Sequence, residues 1–458
     1  MPSEKSQLRG PAGSAGILPA LGSFAGCLAV FIPLLAAAFA FSSEPAQEGR
    51  PQALGSGSCA SSHCHGSPVA VQGRNILQNE FRIWSAQDRH AQAYSVLLER
   101  RSRRIAANLK LGAPQKTALC LGCHAFNLPA AERTPLFDIA EGVGCEACHG
   151  ASTSWLGAHA AGNVSRTDLG MTDSRPLERR AEVCLSCHLG DGAKSVNHEL
   201  IAAGHPVLRF ELDTFSALMP RHWRQQDGNW EGVQRWAVGQ AVALRQSMLQ
   251  LARRAEGSGW DSWPDFEDFE CSSCHHSLVA PRPGDDYLPS PRQARGYEGI
   301  PGIPPWDESR YIVFRQLFKV ALTSRASDLD SRIAALKQDL QSALKSRSGV
   351  ASKARSIASV MDRLVPELRA IRWDAGMVER LIAAVASRSA AIGQAGIRSA
   401  EQATWAVDAL YASYLRSTGR GNPRLDAQIN RLYESLQSAP GYDAGRFSGL
   451  LREVEAGQ

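Results

Sequence analysis

Apolar positions recur at helical intervals through the last third of the chain. Ile333, Leu336, Leu340 and Leu344 fall at i, i+3, i+7 and i+11, and Ile357, Val360, Met361, Leu364 and Val365 repeat the stripe, so both stretches predict helices with one face buried. Gly349, Pro366 and Gly376 punctuate this region into separate helices, and a small bundle of four to six is expected over residues 307–458. Further upstream, Val233, Trp236, Ala237, Leu244, Met248 and Leu251 outline another amphipathic helix, while Phe81, Trp84 and Tyr94 flank a shorter one as packing residues. Between them lie short helical pieces, loops and few alternating patterns of the strand type. The expected fold class is mainly α.

Composition narrows the class. With 44% hydrophobic and 21% charged residues, the 458-residue chain has ordinary globular stock, which excludes wholesale disorder, collagen-like repeats and a polytopic membrane protein. A net charge of +5 is too mild to argue for nucleic acid as a partner. The cysteines carry more information. Ten of the eleven lie between Cys59 and Cys274 in five pairs, and a histidine follows the second member of every pair. Four pairs read C-x-x-C-H: Cys120, Cys123 and His124; Cys145, Cys148 and His149; Cys184, Cys187 and His188; Cys271, Cys274 and His275. The fifth, CASSHCH, has a four-residue gap between Cys59 and Cys64 before His65.

This spacing suits covalent haem c attachment. Two thiols add to the vinyl groups on one edge of a porphyrin, and the next residue brings its imidazole under the iron. Zinc sites and disulfides are the competing readings of paired cysteines, but neither accounts for the histidine. Five haem c sites, four regular and one irregular, are therefore expected within residues 58–280. With five macrocycles in that span, porphyrin faces must supply much of the core that side chains would otherwise build.

The remaining segments agree with such a reading. Lys5 and Arg9 precede an apolar stretch from Cys27 to Phe41, which ends in Ala38-Phe39-Ala40 and is followed by Ser42-Ser43-Glu44, the pattern of a cleaved export signal over residues 1–42. At 15 residues the stretch is short for a bilayer span, and an uncleaved membrane anchor through residues 27–41 is the alternative. A periplasmic or other extracytoplasmic location follows from either. Residues 43–57 read as a flexible lead and 281–306 as a Pro/Gly-rich linker. Beyond His276 there is no cysteine or histidine in 182 residues, so the C-terminal helices are expected to be haem-free, with Met361 and Met377 serving the core.

A haem devoted to electron transfer gains from a second axial ligand. After the five proximal imidazoles, seven histidines remain. His63 lies inside an attachment loop and His276 beside a proximal ligand, so each can serve only a neighbouring haem. His90, which follows a potential Asp88 cap, and His159, ten residues after His149, are distal candidates. His198 and His205 are about 10.5 Å apart if their segment is helical. They cannot share an iron: either each caps a different haem, or one ligates and the other handles protons or supports a ligand. His222, in MPRHW, completes the candidate set.

The serial CxxCH sites, CHGAS followed by WLGAH, and VNHELIAAGHPVLRFEL together resemble the multihaem c-type cytochromes related to tetrahaem cytochrome c554, which share haem packing with hydroxylamine oxidoreductase and pentahaem nitrite reductase. The resemblance covers roughly residues 55–280. It implies a mostly helical domain with haems in close pairs, bis-histidine ligation for most and sometimes one open iron. Five attachment sequences against that family's four, and the irregular first loop, depart from the pattern. Two functions follow. The first is an electron carrier that exchanges electrons with partner proteins. The second is a multihaem oxidoreductase in which one open haem acts on hydroxylamine, nitrite or a sulfur oxyanion. The absence of a C-x-x-C-K sequence and the five spare histidines favour the carrier over an enzyme. Arg100, Arg101, Arg103, Arg104 and Lys110 form a basic cluster that reads as a solvated helix face, a partner for haem propionates or a docking site for an acidic redox protein.

Overall fold

In the computed structural model the residues described are 50–73, 76–161, 165–224, 230–257, 263–275, 303–342, 346–437 and 442–456. The expected export signal or anchor, His276 and nearly all of the 281–306 linker lie outside them. Helix accounts for 63% and no strand occurs among the described residues, which places the chain in the mainly-α class. No helix among them is long and apolar enough to cross a membrane.

The first part of the chain carries short helices: α1 (Glu80–Gln87), α2 (Ala93–Val96), α3 (Arg100–Asn108), α4 (Ala118–His124), α5 (Cys145–His149), α6 (Leu177–His188), α7 (His198–Ala202) and α8 (Leu212–Leu218). Side-chain packing alone does little to hold the segment before α6. Its own apolar cluster is Leu97, Leu121 and Ala125, edged by Tyr94, Cys120 and Ile139. Carboxylates staple the loops instead. Buried Glu146 accepts from the backbone N–H groups of Leu54 (3.0 Å), Gly55 (2.7 Å) and Ser152 (2.8 Å), and Glu141 accepts from Ser56 at 2.6 Å. These bonds pin the described part of the 43–57 lead against the third attachment loop.

The 26-residue helix α9 (Glu231–Glu256) is the structural axis. It follows the spacing expected of its apolar residues, yet it is not one-sided: every residue from Arg235 to Leu244 is buried. A helix buried on all sides must have neighbours on all sides. Those neighbours are the haem-motif helix α6, helix α8, and the C-terminal helices α13 (Arg347–Ala370) and α16 (Ile397–Thr418). Gly239 allows a close approach of α8, since a Cβ there would stand 2.6 Å from that of Leu212.

The C-terminal helices in chain order are α10 (Ser309–Ile312), α11 (Leu317–Val320), α12 (Thr323–Leu340), α13, α14 (Ala375–Ala386), α15 (Ser389–Gln394), α16, α17 (Pro423–Ser435) and α18 (Ala444–Ala456). Six of these are long, matching the upper end of the expected bundle, and three are short additions. Ile333, Leu336, Leu340, Ile357, Met361 and Leu364 are each 2% exposed or less, so the stripe is core, and Met377 packs at the margin of that core. Pro366 does not end a helix as its sequence context suggests: α13 runs through it to Ala370. Pro366 lies on the exposed side, where the Asp362 carbonyl that loses its N–H partner can meet water. One continuous hydrophobic cluster extends from Ala181 to Val454, so α6 and α9 share their core with the haem-free helices.

Leu244 is fully buried at the centre of that axis. Leu244→Ala is expected to lower the stability of the holoprotein by about 2–5 kcal/mol, measured by denaturant unfolding.

Candidate functional site

The attachment sequences sit on helical turns. Three of the regular ones occupy α4, α5 and the end of α6, each terminating at its histidine, and the fourth begins on the 3₁₀ turn Cys271–Ser273. Residues i, i+3 and i+4 share one side of such a turn, so the spacing presents two thiols and an imidazole to the same space. In the fourth, the His275 N–H closes onto the Cys271 carbonyl at 2.8 Å. The irregular first loop reaches the same closure across two more residues: His65 N–H donates to the Cys59 carbonyl at 3.2 Å, while Cys64 and Gly66 fold back on Ser61. Gly66 is required there, because a Cβ would lie 1.8 Å from the Ala60 carbonyl oxygen.

Across from these histidines stand others, brought from elsewhere in the chain. The ring centres of His65 and His159 are 6.2 Å apart, those of His188 and His90 6.1 Å, those of His124 and His205 6.4 Å, and those of His275 and His198 6.3 Å. Two imidazoles bound through Nε2 to one metal at about 2 Å each have centres about 6.3 Å apart, because each centre lies about 1.1 Å behind its nitrogen. All four separations suit a single iron held between two rings. The interplanar angles, from 17° to 85°, are compatible with this, since both ring planes contain the axis through the metal whatever their mutual rotation.

The tautomers also suit ligation. Nδ1 of His124 donates to the Ala93 carbonyl (2.9 Å), that of His205 to the Pro206 carbonyl (2.8 Å) and that of His159 to the Leu156 carbonyl (2.5 Å). A carbonyl can only accept, so the proton is on Nδ1 and the Nε2 lone pair is left for a metal. In His65 and His90 the same position is held by a carboxylate, Glu80 at 2.9 Å and Asp88 at 2.8 Å. The bond to Glu80 raises the His65 pKa and the bond to Asp88 raises that of His90. Burial instead pushes His188 down to about 4. Aromatic side chains wall the sites: Trp155 stands edge-on to His159 at 5.3 Å, Phe210 and Phe215 lie 5.2 and 5.4 Å from His188, and Phe266 lies 5.6 Å from His198.

The remaining motif histidine differs. His149 forms no ring pair of this kind among the described residues, and its Nδ1 is shut off from solvent without a hydrogen-bond partner. Its pKa is pushed down to about 4, first by burial and then by the charge of His222, which places that histidine within electrostatic reach. His222 stands on the loop after α8 and turns its Nδ1 toward the Pro220 carbonyl at 3.4 Å.

The helix expected to carry both His198 and His205 stops at Ala202, and Gly204 turns the chain with φ +115°. The two histidines consequently face different partners, His275 and His124. His63 is exposed. Glu80 gave no signal in the sequence, being 15 residues beyond the histidine it holds, and Asp88 was legible only as a cap, a role it also fills by accepting from the His90 N–H at 3.0 Å. Loops meet in pairs as well: Cys59 lies beside Cys145, and Cys123 beside Cys187. Among the described residues no three or more potential ligands converge as a zinc site requires.

Comparison with known proteins agrees with this chemistry. Residues 58–150, which take in the first three attachment loops, match the family model described as cytochrome c554 and c-prime. The class is a c-type cytochrome, a haem protein of electron transfer. More particularly, residues 58–150 are similar to the cytochrome c554 family, and the likeness is carried by that segment. No curated protein and no solved structure matches the chain.

His205→Ala is expected to convert one low-spin centre to high-spin while leaving covalent haem content unchanged, read by electron paramagnetic resonance. A carboxylate on Nδ1 makes the opposite nitrogen a stronger donor, which favours the ferric state. Glu80→Gln should therefore raise the reduction potential of one centre in a spectroelectrochemical titration.

Proposed function

We propose that this chain is an exported electron carrier holding five haem c groups, attached at Cys59/Cys64, Cys120/Cys123, Cys145/Cys148, Cys184/Cys187 and Cys271/Cys274. His65, His124, His149, His188 and His275 are the proximal ligands. His159, His205, His90 and His198 cap the first, second, fourth and fifth sites in chain order, and His222 caps the third. Bound haem supplies one-electron exchange between ferrous and ferric iron. The protein's part is to hold each imidazole in a fixed rotamer and tautomer, so that little rearranges when the charge changes. The observation that carries the reading is the set of four facing imidazole pairs with centres 6.1–6.4 Å apart.

One observation favours a second reading. His149 lacks, among the described residues, the close ring pair of the other sites, and its Nδ1 has no hydrogen-bond partner. If the third site keeps an open face, the chain is a multihaem oxidoreductase acting there on a small nitrogen or sulfur oxyanion, or on hydroxylamine. An extracytoplasmic location accompanies both readings, since haem c attachment takes place outside the cytoplasm.

Pyridine haemochrome analysis should count five covalent haems, and the spectrum of the native holoprotein should be wholly low-spin and indifferent to hydroxylamine and nitrite. A high-spin fraction of one centre in five that shifts on adding either compound would establish the second reading instead.

A further inference from the structure

The second haem site lies under a basic surface. His124 donates from Nδ1 to the Ala93 carbonyl, and buried Leu97 packs with Leu121 and Cys120 of that attachment helix. The chain then turns outward into α3. Arg101, Ile105 and Asn108 form the inner face of this helix: Arg101 donates to the Gly204 carbonyl at 3.0 Å, Asn108 donates to the Ala203 carbonyl at 2.9 Å, and Ile105 stands next to Gly204. These contacts seat α3 on the residues leading into His205. Segment 93–116 thus touches His124 directly and, at Ala203 and Gly204, the residues that lead into His205.

Its outer face is cationic and partly apolar. Arg100, Arg103 and Arg104 are exposed there, as are Lys110 and Lys116, and none of the five makes an ion pair among the described residues. Glu99 is the single carboxylate in residues 93–116. Beside the arginines, Val96 and Leu98 are 38% and 46% exposed, so an apolar spot adjoins the charge. A solvated helix face needs no such spot. Positive charge around a small apolar contact suits transient recognition, in which long-range attraction speeds encounter and a small dry contact ends it quickly.

We propose that α3 with Val96 and Leu98 is the docking surface for an acidic electron-transfer protein, and that electrons pass there between its cofactor and the His124/His205 haem. This rests on the electron-carrier reading above. Each transfer moves one electron from the reduced partner to one ferric centre, which becomes ferrous.

The test is stopped-flow reduction of the full holoprotein by flavodoxin hydroquinone, a small acidic donor, with neutral reduced lumiflavin as the reductant that needs no docking. The wild-type rate constant with flavodoxin should fall as ionic strength rises, and Arg100→Glu/Arg104→Glu should lower it about 10-fold at low salt while the lumiflavin rate stays unchanged. Covalent haem content and the low-spin spectrum report whether the variant is intact, and Arg100→Gln/Arg104→Gln is a milder form of the same test. A salt-independent wild-type rate, an unaffected variant or an equal loss toward both reductants would overturn the proposal. So would binding to phosphatidylglycerol vesicles that the substitutions abolish without changing the flavodoxin rate, which would make α3 a membrane contact. Failure of lumiflavin to reduce the wild-type haems would instead refute the carrier reading itself.

Discussion

Two imidazoles held about one iron's width from contact are the constraint that organises the haem-bearing half. A short helix with two thiols can tether a macrocycle by itself, but it cannot supply the ring on the opposite side. His159, His90, His205 and His198 come from 94, 98, 81 and 77 positions away from the partners they face. Bringing them in dictates the path of the intervening loops. Those loops have little apolar material to pack, which explains why carboxylates such as Glu146 and Glu141, rather than a hydrocarbon core, do the stapling.

The opposite arrangement holds beyond α6. There one hydrophobic cluster runs from Ala181 to Val454, and α9 is its axis. The fourth attachment helix contributes Ala181 and Leu185 to this cluster. The haem at Cys184 and Cys187 would therefore be anchored in ordinary protein core, whereas those at Cys59 and Cys145 would depend on hydrogen-bonded loops. Firm packing and cofactor-dependent packing meet at a single helix.

The paired-cysteine motifs were legible because their spacing is confined to a single turn. The histidines that face them were legible as residue types, yet their partners were not, because pairing joins residues tens of positions apart and no local pattern encodes it. His198 and His205 show the difference: their shared segment suggested one helical face, and Gly204 sends them apart. Helix α9 was found from its apolar period, but its burial on every side depends on α8, α13 and α16, which only tertiary packing brings to it. The carboxylates on Nδ1 left no trace for the same reason. Glu80 is one glutamate among many until the fold sets it beside His65.

The first attachment loop has a wider meaning for how such sites are recognised. Its two additional residues bulge outward while the histidine amide still reaches the carbonyl of the leading cysteine. The loop thus keeps that closure with a different count of intervening residues, and Gly66 accommodates the crowded exit. On the five-haem reading, a survey that counts haems by a rigid C-x-x-C-H spacing passes over this loop and understates the redox centres of the chain.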